Sequence, residues 1–323
     1  MTAFFAERWR GPSGKELREE VLGRLASGES LDDLGLGVHD GRTDLRGLTV
    51  GPPAVTRAQD LGRWTVEHLD ARLELRGVKL ECLDLSGSGL AGLRGFDCWI
   101  RNCRLDAARC DDWRLWATTV EHTTFASADL RGSSLGGWYE GRGNQWIRVR
   151  FARADLRDVE AQAASFVDCD FSNARLDKMD FQSSSFVRCR FVGELRDVVF
   201  WAHGPAAREK AEPNPMEDVD FSDAQLRGVA FRGLTLARVK LPTAREHLVI
   251  EHFPCVLERA VNELADSPHC GLRGLLRNHL RWVHPEQQRG VLHRADLAEA
   301  LGKEDPRLAV DLLRRLERDC ADR

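Results

Sequence analysis

Between Leu75 and Leu135 an apolar residue returns at every fifth position: Leu75, Leu80, Leu85, Leu90, Ile100, Leu105, Cys110, Leu115, Val120, Phe125, Leu130 and Leu135, with Gly95 the one gap. Two places earlier stand small or weakly polar residues, among them Cys98, Cys103, Ala108, Thr118, Thr123, Ala128 and Ser133. After an interruption the period resumes one place out of phase: Trp146, Phe151, Leu156, Ala161, Phe166, Phe171, Leu176, Phe181, Phe186 and Phe191. Leu195 and Phe200 continue it after a slip. Phe221, Leu226, Phe231, Leu236 and Leu241 form a third block, and Leu45 and Val50 an earlier fragment. Five steps of about 100° scatter side chains around a helix, and odd steps alternate the faces of a strand. The pattern therefore demands a chain that turns a corner between successive large residues, so that all point to one centre.

The units SADLR (127–131), RADLR (153–157), NARLD (173–177), DVDFS (218–222) and DAQLR (223–227) resemble the pentapeptide-repeat family, whose unit is A(D/N)LXX. The resemblance covers about half the chain. It implies a mainly β fold, a right-handed quadrilateral β-helix with one pentapeptide per side and four per turn. The central Leu or Phe and the small residue two before it would both point inward. Residues twenty apart should then stack at about the 4.8 Å strand spacing. Phe151, Phe171 and Phe191 would form one column, Phe166 and Phe186 another, with Leu156 over Leu176 and Cys169 over Cys189. Each turn buries a layer that a lone repeat could not.

Outside the repeats the period changes. Residues 14–27 form a short amphipathic segment with apolar positions at 17, 21, 22 and 25, an N-terminal helical cap for the open edge. The segments 253–265, 271–283 and 305–320 carry 3.6-type spacing, the last opened by the helix-start pair Asp305-Pro306. The expected organisation is a cap over 1–42, a repeat domain over 43–242 and a helical C-terminal domain over 243–323. The repeat domain contains an irregular segment at 51–72 and loops at 136–145 and 201–217.

Composition narrows function by exclusion. The net charge is −4, which argues against a polybasic nucleic-acid binder, so no direct nucleic-acid binding is expected. No apolar run approaches the ~20 residues of a membrane span, and the opening residues lack a signal-peptide core, so the expectation is a cytoplasmic protein with no membrane contact. Nine cysteines, an odd number with no CxxC pair, argue against a disulfide framework. Cys98, Cys103, Cys169 and Cys189 fall on the small inward position and read as core thiols. The histidines at 247, 252, 269, 279, 284 and 293 lack metal-ligand spacing, so no metal is expected. No GxSxG, P-loop or dinucleotide fingerprint appears, so neither a catalytic residue nor a cofactor is expected.

Candidate binding residues lie at the interruptions. The first, GGWYEGRGNQ, holds Trp138, Tyr139, Glu140 and Arg142, Tyr139 being the chain's one tyrosine. It reads either as a kink whose aromatics fold back on the coil or as a recognition loop on a rigid scaffold. The second contributes Trp201 and His203 and reads either as a solvated excursion or as a second docking loop. Phe96 and Trp116, twenty apart and one place past the inward position, should stack outside the coil near Trp99. A bulge at 90–100 turning Phe96 inward, or a cover supplied by 51–72, are the alternatives.

The resemblance implies a protein partner, DNA gyrase or a related topoisomerase. There a coil mimicking duplex DNA shields the enzyme from topoisomerase poisons, and family members often dimerise through C-terminal helices. Mimicry needs a strip of carboxylates spaced like phosphates. Residues 71–200 contain 19 Lys/Arg and 19 Asp/Glu, a balance that departs from such a surface. The rival reading is an interaction scaffold of another partner, using loops and helical domain. An enzyme would need a site between coil and helices.

Overall fold

A corner residue recurs two places after each central apolar residue. Cys82, Asp97, Asn102, Ala107, Asp112, Ala117, His122 and Ser127 all adopt the left-handed conformation, with φ between 48° and 59°. This conformation costs an L-residue roughly 1–2 kcal/mol, and the asparagines and aspartates at several corners carry it best. Its repetition at five-residue intervals bends the chain round the common centre that the apolar spacing requires.

The computed structural model describes residues 7–50, 58–60, 63–65, 73–203, 213–284 and 286–322. Of the segment 51–72 it describes an antiparallel backbone pair, Ala58–Asp60 with Arg63–Thr65, so the reading of 51–72 as a cover lies outside the described residues. The chain separates into two compact units, Met1–Ser165 and Phe166–Arg323, a boundary that falls inside the repeats.

In the first unit, strands twenty residues apart pair in parallel. Leu73–Arg76, Leu93–Phe96 and Arg114–Trp116 form one stack, with Leu75 opposite Gly95 and Gly95 opposite Leu115. Lys79–Glu81, Trp99–Arg101, Thr119–Glu121 and Gln145–Ile147 form another. Inward residues are almost wholly excluded from water: Leu75, Leu115, Val120, Phe125, Leu130 and Phe151 are each at 0% exposure. The gap at Gly95 is a packing necessity, because a Cβ there would meet Leu115 Cδ2 at 2.8 Å. Trp113, one of the small inward positions by register, is buried and donates from Nε1 to the Leu90 carbonyl at 2.7 Å. The expected N-terminal helix is present as α1 (Gly11–Ser27), burying Val21 and Leu25 and packing on Leu73–Arg76.

The second unit begins with the same coil. Phe171 stacks on Phe191 at 4.8 Å and 4°, and Phe166 on Phe186 at 5.1 Å and 13°. Phe191 in turn stacks on Phe221 at 4.8 Å. Among the described residues four helices follow: α2 (Phe253–Glu263), α3 (Cys270–Leu280), α4 (Arg294–Leu301) and α5 (Arg307–Ala321). They surround a core that includes Leu257, Leu276, Leu297 and Leu313. An antiparallel pair, His247–Ile250 with Gly290–His293, joins them to the coil. The last turn of coil ends on side chains of this region. Leu226 N–H donates to His247 Nε2 at 3.0 Å, and Gly228 N–H donates to Asp296 Oδ2 at 2.8 Å. Such capping closes an edge that would otherwise present unpaired backbone.

One expectation is corrected here. Cys255 and Cys320 are disulfide-bonded, their Cα atoms 6.3 Å apart. Odd counting argued against a framework of pairs, but packing α2 against α5 brings together two thiols 65 residues apart in sequence. The core thiols Cys98, Cys103, Cys110, Cys169 and Cys189 are buried and outside any disulfide.

Candidate functional site

The first interruption folds as a closed hairpin. Trp138–Tyr139 pairs antiparallel with Arg142–Gly143 around the two-residue turn Glu140-Gly141. Both turn residues have positive φ, 48° and 80°, the signature of the tight turn that matches strand twist. The doubled glycine before it answers to close approach. A Cβ on Gly136 would lie 1.8 Å from the Gln162 carbonyl oxygen, and one on Gly137 would lie 2.4 Å from the Leu115 carbonyl oxygen.

The hairpin's exit is anchored by Asn144, a residue the apolar pattern gave no reason to single out. It is 1% exposed and occupies the inward position two before Trp146. Its Oδ1 accepts from Thr118 N–H at 2.9 Å, and its Nδ2 donates to the Leu115 and Leu135 carbonyls at 2.8 and 3.0 Å. In undisturbed turns a hydroxyl at this position plays the acceptor part, as Ser133 Oγ does for Trp113 N–H at 3.0 Å. Ser133 Oγ also donates to the Cys110 carbonyl at 3.0 Å, so what the longer amide adds is the second carbonyl, Leu135, beside the hairpin.

The hairpin lies against an outward aromatic column. Phe96 and Trp116 stack with centroids 4.5 Å apart and planes 7° apart, as their spacing predicts, and Phe96 is not turned inward. The Arg76 guanidinium lies 4.2 Å from the Phe96 centroid, and Tyr139 meets Phe96 edge-on at 6.0 Å. Arg142 bridges to Asp97 at 2.6 Å, tying hairpin to coil. Tyr139 remains 37% exposed and Trp99 42%, whereas Phe96, Trp116 and Trp138 are half-buried. Lys79 Nζ sits 5.8 Å from the Trp99 ring centroid. The Glu140 carboxylate beside the Tyr139 hydroxyl pushes that phenol up. The aromatics thus do fold back on the coil, and the composite still leaves a tyrosine and a tryptophan facing solvent between cations.

Among the described residues no group of three His, Cys, Asp or Glu side chains could hold a metal ion. No described helix is long and apolar enough to cross a membrane.

A family profile described as "Pentapeptide repeats (8 copies)" matches residues 164–193, the stretch whose phenylalanines stack in the second unit. Over residues 164–193 the chain is a run of pentapeptide repeats. No curated protein matches its sequence. Solved pentapeptide-repeat structures align with part of it. Full-length QnrB1, a plasmid-mediated fluoroquinolone resistance protein, is 14% identical over 49% of this chain and 84% of its own, with a TM-score of 0.22. HetL from the cyanobacterium Nostoc sp. strain PCC 7120, a pentapeptide repeat protein involved in heterocyst differentiation regulation, is 17% identical over 54% and 86%, with a TM-score of 0.20.

The second interruption is differently placed. Trp201 is only 5% exposed. Its ring meets Trp282 edge-on at 5.1 Å, and its Nε1 donates to Asp180 Oδ1 at 2.7 Å. It is a packing residue between coil and helices, not a face open to a partner. His203 is exposed, and residues 204–212 of that loop lie outside the described residues. Of the nine candidates, Phe96, Trp116, Tyr139 and Arg142 come together, Trp138 and Glu140 belong to the hairpin, Trp99 stands on the next strand beside Lys79, and Trp201 and His203 lie elsewhere.

Proposed function

We propose that this chain is a non-catalytic, cytoplasmic protein-binding scaffold, its coil right-handed and four-sided, and that it engages its partner through the aromatic face built by Tyr139, Trp99, Trp116 and Phe96. The carrying observation is that Tyr139 and Trp99 stay exposed on a hairpin and coil that are otherwise tightly fixed. Rigid Trp and Tyr flanked by arginine are the residue types that dominate binding energy at protein interfaces.

DNA gyrase, the partner implied by the family, is the first to assay. Charge supports contact through aromatics rather than through an acidic strip. Asp129 is held by Arg131 at 2.7 Å and Asp155 by Arg157 at 2.6 Å, so stacked carboxylates that could imitate phosphates are each answered by their own arginine. The Arg131 guanidinium holds the Asp129 carboxyl below its ordinary range.

The test is a supercoiling assay with purified gyrase, with and without a quinolone, beside crosslinking capture from cell extract, using wild type and a Trp99→Ala/Tyr139→Ala variant. The expected result is a partner that the wild type binds and the variant binds at least about tenfold more weakly. Equal capture by both proteins would remove the aromatic face from the reading, and gyrase unaffected at saturating protein would remove gyrase.

A further inference from the structure

Arginines on the coil are mostly answered by carboxylates: Arg188 by Asp168 at 2.7 Å, Arg190 by Asp223 at 2.8 Å, Arg196 by Glu194 at 2.6 Å and Arg227 by Asp296 at 2.9 Å. Helix α3 breaks this habit. Its sequence CGLRGLLRNHL contains no acid, and Arg281 follows one turn after Arg277. Among the described residues, Arg277, Arg281 and Arg232 form no ion pair. Arg277 and Arg281, with Gly274, Asn278 and Leu280, line an open cavity of about 600 Å³. Gly274 has open space where a Cβ would stand.

A second observation in the same unit points the same way. The Arg232 guanidinium lies 4.5 Å from the Trp201 centroid and 5.2 Å from that of Trp282, while Arg281 lies 5.1 Å from the same Trp282 ring. Arg232 Nε is buried without a hydrogen-bond acceptor. Burial and the neighbouring Arg281 charge both push the Arg232 guanidinium down, and Asp180 offsets this only in part. A partly desolvated guanidinium that is repelled by a neighbouring cation and forms no ion pair is stabilised by an incoming anion. A planar guanidinium suits the bidentate fork of a carboxylate.

We propose that this surface, Arg277 on α3 and Arg281 at its C-terminal cap with Arg232 and Trp282 beside them, docks an acidic segment of a partner protein whose carboxylates repeat one helical turn apart. The arginines at i and i+4 present their charges at the spacing of glutamates at i and i+4 on a facing helix. Three guanidinium groups on a chain of net charge −4 fall short of the ~6–10 phosphate contacts that hold a duplex, so the occupant is an acidic peptide and not nucleic acid. This surface is separate in sequence from the aromatic face, and its failure would leave that reading intact.

The experiment is fluorescence anisotropy on the full chain with a labelled Ala/Glu helical peptide carrying glutamates four apart, its Ala/Lys counterpart, and single- and double-stranded oligonucleotides of similar length. Saturable binding of the Glu peptide that weakens with salt is expected. Arg277→Glu/Arg281→Glu should weaken it at least about tenfold and Arg232→Met several-fold, with the circular dichroism spectrum unchanged. If the charge-reversed variant misfolds, Arg277→Gln/Arg281→Gln takes its place. No saturable binding up to ~1 mM peptide, equal affinity in the variants, or tighter binding of either oligonucleotide would overturn the proposal.

Discussion

Before Gln145 the coil takes in extra residues that lift the pairing offset from 20 to 26, and before Met216 others raise it to 30, as Val187 opposite Glu217 records; the one-residue slip before Leu195 then makes it 31 at Leu226. Both interruptions resume with a buried asparagine two places before the next inward residue. Asn144 serves the first. Asn214 serves the second, with Oδ1 accepting from Phe186 and Met216 N–H at 3.0 Å each and Nδ2 donating to the Trp201 carbonyl at 3.1 Å. Their aromatics meet opposite fates. The hairpin returns to the outer wall and leaves Tyr139 in water, whereas Trp201 is covered by Trp282 from the helical region. A repeat coil thus tolerates insertions wherever one amide can replace the missing backbone partners. Whether the insertion becomes a surface or a seam depends on what packs over it.

The sharpest way to break this comparison is Gly136→Ala. Its methyl group would collide with the Gln162 carbonyl, and the coil after the hairpin would have to shift, so a loss of at least ~3 kcal/mol in urea denaturation is expected. Asn144→Leu and Asn214→Leu come next. Each leaves buried backbone groups unpaired, at roughly 1–3 kcal/mol per group, so both should lose about 2–4 kcal/mol. If one proves neutral, the two asparagines are not equivalent.

Acid should separate the two interruptions. Burial pushes the His279 imidazole down to about 4, and it also lowers His247 and His293, whose rings meet at 4.9 Å. The unfolded chain then binds more protons than the folded one below the ordinary histidine value of about 6.5. Stability is therefore full above that value and falls as pH drops toward 4, by at most ~3 kcal/mol for His279. Because His247 holds the Leu226 amide, the hydrogen-exchange protection factor at Leu226, corrected for intrinsic rate, should fall with acid while the Thr118 amide stays protected by Asn144. Equal response at both amides would contradict this. The smallest effect is expected from Tyr139→Ala. The edge-on contact with Phe96 contributes about 0.5–1.5 kcal/mol, so denaturation should barely change while partner binding falls.

Much of this was legible in the residues. The five-residue apolar period predicts the coil, the stacked phenylalanines and the inward thiols, because a fixed backbone repeat maps sequence spacing directly onto space. The outward stack of Phe96 and Trp116 follows from the same arithmetic. Segments 253–265, 271–283 and 305–320 are helical over most of their length because 3.6-residue spacing needs no distant partner to declare itself. Helix α4, eight residues long and short of apolar positions, shows itself only through its packing. Asn144 and Asn214 were hidden for a different reason: a polar residue gives no periodic signal, and only the backbone groups around it reveal its purpose.

The sequence by itself determined the repeat, the inward and outward alternation, and which aromatics stack within a column. Local geometry suffices for these, since each unit turns its own corner. Tertiary structure alone decided that Trp201 is buried while Tyr139 is exposed, that Cys255 reaches Cys320, and that Arg232 meets two tryptophans but forms no ion pair. Those outcomes join segments with no shared period, and their energies come from desolvation and packing at contacts that spacing along one chain does not encode.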